Sequence, residues 1–350
     1  MSITLTVDPI EEEVEVADGQ TLLDACLRAG FWLPLACGHG LCGTCKVEVL
    51  DGDVDHGVAS PFALMDFERD EGFTLACSAT AQCDVTIEAD IDEEPDAVVR
   101  PVRDFVGTVS RVEHLTGDIL GVWIAVDEPV EFQAGQYLNL HVDGVEQPRA
   151  FSLANSPSLA NEVELHIRLV PGGEVTPRLH SDLAVGDELR FAAPYGRFFV
   201  RRSAEKPMLF LAGGSGLSSP KGMINELLES GCEDPITLIH GVRTAADVYF
   251  DDEFRALEER HDNFRYVPVL SQPDDADWDG ETGFVHEAAE RLYDGKFAGL
   301  SAYLCGPPPM IEACIRSLMK GRLFERDIFT ERFVTAADGE SAKSPLFKRL

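Results

Sequence analysis

The chain has 350 residues, of which 45% are hydrophobic, and this is enough apolar material for two or three folded domains. Its formal net charge of −33 argues against nucleic acid or an anionic membrane surface as a partner. The sequence shows no apolar run of about 18 residues and no basic start followed by an apolar stretch. We therefore expect no transmembrane helix, no secretion signal and a cytoplasmic location.

The first 92 residues predict a small domain that is mainly β. Hydrophobic alternation and turn signals predict strands at residues 2–7, 14–17, 46–50 and 84–89, a helix over 21–29 that ends at Gly30, a hairpin turn at Asp51-Gly52 and a short helix from Ser60 to Met65. The acidic excess of the chain is concentrated in this segment, and either solubility or attraction of a partner would explain it.

Three cysteines share one glycine-rich loop, in the spacing Cys37-x4-Cys42-x2-Cys45, and Cys77 follows much later. This is the ligand spacing of a plant-type 2Fe–2S cluster. Glycines between the cysteines let the backbone curl so that its N–H groups can point at the sulfurs. The spacing therefore predicts that Cys37, Cys42, Cys45 and Cys77 hold the cluster.

Other uses of the nine cysteines are disfavoured. Their odd number in a large chain speaks against a disulfide framework. Structural zinc favours two short knuckles rather than three ligands in one loop. His39 could replace a ligand in a Rieske-like site, but four cysteines are present and a solvated loop residue is the simpler interpretation. Packing explains Cys26 and Cys83.

Residues 93–103 are charged and contain proline, and we interpret them as a linker. Residues 104–203 then show short strands at regular spacing, which predicts an antiparallel β-barrel. Within it, Arg149, Phe151 and Ser152 offer a cation for a pyrophosphate, an aromatic face for a flavin ring and a hydroxyl for a ring nitrogen. Downstream, a Gly-Gly turn and Thr176 at a helix start offer backbone N–H groups to a phosphate.

Residues 204–335 alternate strands and helices, which predicts a doubly wound α/β domain, and residues 336–350 form a small, polar tail. The turn Gly214-Ser215-Gly216 is of the dinucleotide-binding type, although the third glycine and the later acidic residue of the usual fingerprint are missing. Cys305 ends a strand before a proline-rich turn, at the sheet edge where such domains bind ligands.

In this order, the three groups of motifs resemble the ferredoxin–NADP⁺ reductase superfamily. More narrowly, strings such as LACGHGLCGTCKVEV, RAFSLAN, AGGSGLSSP and CGPPPM resemble the reductase components of bacterial multicomponent oxygenases, in particular those of phenol hydroxylases. The resemblance covers nearly the whole chain. It implies a multidomain fold with a β-grasp-like 2Fe–2S ferredoxin domain, an antiparallel β-barrel FAD domain and a doubly wound α/β NAD domain.

The resemblance also implies roles for single residues. Cys305, Ser152 and Glu331 would lie at the reacting centre. The residues it places around FAD are Arg149, Phe151, Ser152, His166, Ile167, Arg168, Gly173, Thr176 and Phe333. Those it places around the nicotinamide nucleotide are Gly214, Ser215, Gly216, Arg243, Cys305, Gly306, Pro307 and Pro308. NADH is the implied donor. NADPH is the alternative, which Arg243 and Tyr249 would favour and Asp247 would disfavour.

The implied function is electron transfer from NADH through FAD and the 2Fe–2S cluster to a separate oxygenase, most closely a diiron hydroxylase, with the reductase itself a monomer. A nicotinamide gives two electrons, the cluster accepts one at a time, and a flavin can stand between them. Two alternatives remain open. One is a reductase for a toluene, alkene or propane monooxygenase or a Rieske dioxygenase, and the other is a non-catalytic iron–sulfur binding or sensing protein.

Overall fold

The computed structural model describes residues 3–35, 38, 40–91, 94–273 and 278–333. Cys37, His39 and the predicted tail at 336–350 lie outside the described residues. The chain divides into two compact units at the boundary between Arg103 and Asp104, so that the predicted barrel and α/β domain lie together in the second unit. None of the described helices is long and apolar enough to cross a membrane.

The first unit contains a five-stranded β-sheet, a two-stranded sheet and two helices. Its elements are β1 (Ile3–Asp8), β2 (Glu12–Val16), α1 (Leu22–Ala29), β3 (Lys46–Asp51), β4 (Val54–Asp55), α2 (Asp66–Asp70), β5 (Phe73–Leu75), β6 (Thr80–Ala81) and β7 (Val85–Glu88). The main sheet has the order β2-β1-β7-β3-β5, and β1 and β7 pair in parallel. The predicted helix is confirmed: the Thr21 hydroxyl accepts from Asp24 N, and Gly30 ends it with a φ of 86°.

Two local predictions in this unit are wrong. Strand β3 does not form a hairpin with the strand after Gly52: it pairs with β5 and β7, while the two-residue β4 pairs with β6. Ile87 of β7 is fully buried opposite Val49, whereas Val54 of β4 is only half-buried, so pairing with β7 buries more apolar surface. The stretch predicted as a helix from Ser60 is a single turn, in which the N–H groups of Ala63 and Leu64 both donate to the Ser60 carbonyl. The helix begins later, at Asp66.

The second unit begins with a six-stranded antiparallel barrel. Its elements are β8 (Arg103–His114), β9 (Ile119–Val126), β10 (Tyr137–His141), β11 (Arg149–Ser152), β12 (Glu162–Arg168), α3 (Thr176–Asp182) and β13 (Glu188–Tyr195). The strand order is β11-β10-β13-β8-β9-β12. A bridge between Leu153 and Leu165 joins the two ends of this order and closes the barrel. The predicted barrel is confirmed.

A parallel sheet with helices follows in the same unit. Its elements are β14 (Met208–Gly213), α4 (Ser218–Glu229), β15 (Ile236–Val242), α5 (Asp251–Arg260), β16 (Phe264–Leu270), β17 (Glu281–Thr282), α6 (Val285–Leu292), β18 (Ser301–Gly306), α7 (Pro308–Lys320) and β19 (Ile328–Arg332). The order β17-β16-β15-β14-β18-β19 reverses beside β14. This doubly wound arrangement places the ends of β14, β15 and β18 at one edge, where ligands bind in such sheets.

Candidate cofactor sites

The cysteine loop of the first unit is curled by glycines. Gly40 and Gly43 have φ angles of 72° and 77°, a region that disfavours other residues. A Cβ at Gly40 would lie 3.2 Å from the Val58 carbonyl oxygen, so the loop also needs glycine for its close packing. The Gly40 N–H donates to Cys77 Sγ over 3.3 Å, which is the type of backbone bond that a cluster sulfur receives.

The described cysteines of this loop differ in their surroundings. Cys45 is buried, Cys77 is half-buried and Cys42 is exposed. The Cys45 thiol donates a hydrogen bond to the Cys77 sulfur. This hydrogen bond lowers the pKa of Cys77 to about 7 and raises the pKa of Cys45. Cys42 Sγ lies 3.2 Å from Thr44 Oγ1, and the described residues contain no group of three side chains arranged to hold a metal. Cys42 and Cys45 on the loop, and Cys77 from a neighbouring segment, supply three thiols, which are the type of ligand that the cluster requires. Cys37, the fourth predicted ligand, lies outside the described residues.

The predicted flavin residues lie along β11, at the end of β12 and in the turn that leads to α3, and Phe333 follows β19. Ser152 is buried, Phe151 is half-buried on the barrel, and the Arg149 guanidinium donates to the Gln147 carbonyl with Glu174 3.5 Å away. In the Gly-Gly turn, the Gly173 N–H donates to the Val170 carbonyl.

The second flavin segment, residues 166–176, is fixed by side-chain contacts of its own residues. The Thr176 hydroxyl, at the start of α3, accepts from Val170 N over 2.9 Å and fixes the turn between β12 and α3. Ile167 is fully buried in the barrel core. Arg168 pairs with Asp118 at 3.2 Å. The side chain of His166 contacts Glu164 and Tyr249, as described below.

The two nucleotide segments of the α/β domain pack directly on each other. A Cβ at Gly216 would lie 2.2 Å from the Cys305 carbonyl oxygen, so only glycine fits there. Gly306 adopts a φ of 150° before Pro307, the N-cap of α7, and Pro308, its first residue. Gly214, by contrast, has a φ of 54° and open space where a Cβ would stand. The glycine turn is therefore tight toward the protein and open on its other side, which fits a bound phosphate.

One carboxylate oxygen collects donors from both domains of the second unit. Glu331 Oε2 accepts from the Ser152 hydroxyl at 3.2 Å, from the Ser219 hydroxyl at 2.5 Å and from the Cys305 thiol at 3.6 Å. Burial of this oxygen raises the pKa of Glu331 to about 7, and burial also raises the pKa of Cys305. The structure thus brings together all three residues expected at the reacting centre.

Sequence reasoning missed Ser219, which is fully buried and makes the shortest contact to Glu331. A serine inside a helix carries no pattern of its own, and its partner is 112 residues away in the chain. Phe333, next to this group, is half-buried and its N–H donates to the Gly306 carbonyl. Ser215 is buried in the glycine turn, and its carbonyl accepts from the Ser218 hydroxyl.

The residues considered for nucleotide choice differ in their surroundings. Arg243 is exposed directly after β15. Asp247 Oδ2 accepts from the N–H and the hydroxyl of Thr244. The Tyr249 hydroxyl is buried and donates to the Gly214 carbonyl, so Tyr249 is not placed to hold a 2′-phosphate.

Comparison with known domain families matches three regions of the chain. Residues 5–82 match a 2Fe-2S iron-sulfur cluster binding domain. Residues 107–200 match an oxidoreductase FAD-binding domain, and residues 210–316 match an oxidoreductase NAD-binding domain. These regions contain the cysteine loop, the barrel strands and the glycine turn, so the cofactors inferred from each segment agree with the domain that each segment matches.

Individual proteins match over the whole length. The chain is 56% identical to the reductase component of phenol 2-monooxygenase from Pseudomonas sp. and 52% identical to a phenol hydroxylase protein of Acinetobacter pittii, in both cases over 100% of both chains. Among solved structures, it resembles the Amycolatopsis cytochrome reductase GcoB with a TM-score of 0.87 and 37% identity, covering 95% of this chain and 98% of that one.

Proposed function

The chain belongs to the family of reductase components of multicomponent oxygenases, and from this premise we propose that its acceptor is the diiron hydroxylase of a phenol hydroxylase system. It is an oxidoreductase that carries electrons from NADH through FAD and a 2Fe–2S cluster to a separate oxygenase. Identity above one half with a phenol 2-monooxygenase reductase, over the full length of both chains, is the observation that supports phenol hydroxylase over other oxygenases. The proposed working form is the monomer.

When bound, FAD would supply the chemistry that links a two-electron donor, NADH, to a one-electron acceptor, the cluster. The chain's own residues supply binding and orientation. Arg149, Gly173 and Thr176 would hold the flavin's phosphates, and Phe151 would cover its ring. Ser152, Cys305 and Glu331 would line the place of hydride transfer, where Ser219 keeps the carboxylate oriented.

The glycine turn and the Cys305–Pro308 turn would hold the nicotinamide nucleotide at the edge of the parallel sheet. Their close packing fixes one against the other, because a side chain at Gly216 would collide with the Cys305 backbone. Cys42, Cys45 and Cys77, with Cys37, would hold the cluster as thiolates. The open side of Gly214 supports the assignment of this turn to a phosphate.

The partner would dock on the acidic first unit. Charge attraction gives rapid association and a weak complex, which suits a carrier that must leave after each transfer. Screening by salt weakens such attraction, so we expect the rate of hydroxylase reduction to fall severalfold between low and high ionic strength.

The test mixes the NADH-reduced protein with purified phenol hydroxylase and follows cluster reoxidation and phenol turnover in stopped flow. Efficient coupling with the phenol hydroxylase, and poor coupling with the hydroxylase of a propane monooxygenase, is the expected result. Equal rates with both hydroxylases would contradict the proposed acceptor. A hydroxylase rate that does not change with salt would contradict docking by charge alone.

A further inference from the structure

Two buried side chains hold the carbonyl group of Gly214, the first residue of the glycine turn. The Tyr249 hydroxyl lies 3.1 Å from this oxygen and His240 Nε2 lies 3.2 Å from it. Burial raises the pKa of Tyr249 and lowers the pKa of His240 to about 4, so the first keeps its proton and the second is neutral. Both groups therefore act as donors to the carbonyl, as a neutral imidazole can through one nitrogen.

The barrel reaches the same tyrosine through His166. The His166 ring meets the Tyr249 ring edge to face, with centroids 5.4 Å apart, and its Nδ1 lies 3.5 Å from the tyrosine hydroxyl. Its other nitrogen, Nε2, donates to Glu164 Oε1 at 2.9 Å. His166, which the flavin motif contains, thus turns its side chain toward the nucleotide turn.

A buried ion pair completes the connection. Glu164 Oε2 lies 2.9 Å from the Lys221 ammonium, and both side chains are almost fully buried. Glu164 belongs to the barrel strand β12, and Lys221 belongs to α4, the helix that directly follows the glycine turn. A buried pair of this kind costs desolvation and adds little net stability, but it fixes how two elements meet.

Backbone strain next to Tyr249 points to the same conclusion. Phe250 has a φ of 58°, which is unfavourable for an aromatic residue. Its ring lies 5.3 Å from the His166 ring and 4.7 Å from the Lys221 ammonium. Strained conformations persist where the surroundings determine them, often at functional sites. The strained residue holds Tyr249 between the barrel and the glycine turn.

We propose that Tyr249 is a positioning residue for hydride transfer, which fixes the glycine turn against the flavin-binding barrel through Gly214 on one side and His166 on the other. The inference rests on the proposed assignment of the glycine turn to the nicotinamide nucleotide. It gives a role to the buried polar cluster of Glu164, His166, Lys221, His240 and Tyr249, whose side chains contact one another and the Gly214 carbonyl.

The test compares Tyr249→Phe with Tyr303→Phe in the complete, cofactor-loaded protein. Tyr303 is also fully buried in the α/β domain, and its hydroxyl accepts from Arg201 N rather than contacting Gly214. We expect Tyr249→Phe to raise the Kd for NAD⁺ and the KM for NADH about fivefold, as the loss of one hydrogen bond would. Hydrogen exchange at the amides of residues 215–217 should become faster. Tyr303→Phe should change neither quantity, even where it lowers the melting temperature equally.

A second pair of variants tests His240, the other donor to the Gly214 carbonyl. His240→Gln retains an N–H donor and should keep NAD⁺ affinity close to that of the native protein, whereas His240→Leu should weaken it. The inference is overturned if Tyr249→Phe leaves NAD⁺ affinity and amide exchange unchanged, or if Tyr303→Phe alters them as much. If Gly216→Ala also fails to alter NAD⁺ binding, the assignment of the glycine turn fails instead.

Discussion

Ser152 and Glu331 are 179 residues apart in the chain, and the serine hydroxyl donates to the carboxylate over 3.2 Å. Ser152 ends a strand of the barrel and Glu331 lies in the last strand of the parallel sheet. The bond therefore places the proposed hydride-transfer site at the junction of the two domains, where each contributes one polar group. A substitution at either residue therefore tests the contribution of its own domain to this site.

The pH dependence of stability should report the buried carboxylate of Glu331. Burial raises the pKa of Glu331 from 4.5 to about 7, so the folded protein holds this proton more tightly than the unfolded chain. The stability that the proton provides is present below about pH 4.5 and is lost as the pH rises through 7. We expect the melting temperature of the native protein, relative to that of Glu331→Gln, to fall between pH 5 and 8. Parallel curves for the two proteins would contradict the shifted pKa.

Ser219→Ala should raise the pKa of Glu331. The Ser219 hydroxyl donates to Glu331 Oε2 at 2.5 Å and lowers the pKa of the carboxyl group. Without it, we expect the midpoint in the pH profile of flavin reduction to rise by about one pH unit and the rate at neutral pH to fall about fivefold. Ser218→Ala is the matched control, because that hydroxyl donates to the Ser215 carbonyl instead. An equal shift in both variants would remove the specific role of Ser219.

Gly216→Ala should disrupt the packing of the two nucleotide segments. The added Cβ would stand 2.2 Å from the Cys305 carbonyl oxygen, and such overpacking costs about 1–3 kcal/mol. We expect a lower melting temperature of the second unit and at least about tenfold slower flavin reduction by NADH, measured in stopped flow. Gly231→Ala introduces a side chain at a φ of 72° into open space and should cost stability alone. Normal flavin reduction by Gly216→Ala would contradict the assignment.

Cys77→Ser should remove the visible absorption of the 2Fe–2S cluster and the transfer of electrons to cytochrome c, while flavin reduction by NADH continues. The loss of one of four thiolate ligands explains this result. Cys83→Ser is the control, because Cys83 is exposed and its sulfur accepts from Asp53 N. The packing role expected for Cys83 from the sequence is therefore wrong. Loss of the cluster absorption in Cys83→Ser, or a cluster retained in Cys77→Ser, would contradict the ligand set.

The sequence was sufficient for features that a local pattern encodes. The cysteine spacing predicted the cluster loop, strand spacing predicted the barrel, and the alternation after residue 207 predicted the parallel sheet. The helix at 22–29 was predictable because its Thr21 cap and its final Gly30 lie within the same short stretch. Ser152 and Cys305 both contact the Glu331 carboxylate, and the roles that the family resemblance implies for these three residues stay a prediction.

Local pattern was not sufficient where a distant partner decides. Asp51-Gly52 has the composition of a hairpin turn, but β3 pairs with β7 because β7 supplies a buried face. Ser219 looks ordinary in sequence, and Tyr249 drew attention only as a possible 2′-phosphate contact; their contacts to Glu331 and Gly214 are created only by the folded chain. His166 was recognised through the flavin motif, yet the direction of its ring depends on tertiary packing.

Each of the three main sheets takes its strands from one continuous stretch of sequence: residues 3–88, 103–195 and 208–332. Val102 N–H donates to the Leu27 carbonyl, so the end of the connecting segment is anchored to the first unit. A genetic crossover near residue 103 would therefore move the iron–sulfur module with every strand pairing intact. Such a module could be exchanged between reductases, or joined at another position in a gene, without a change in the strand pairing of any of the three sheets. Sites of past recombination in this family would then lie in the connecting segment rather than in the cores of the domains.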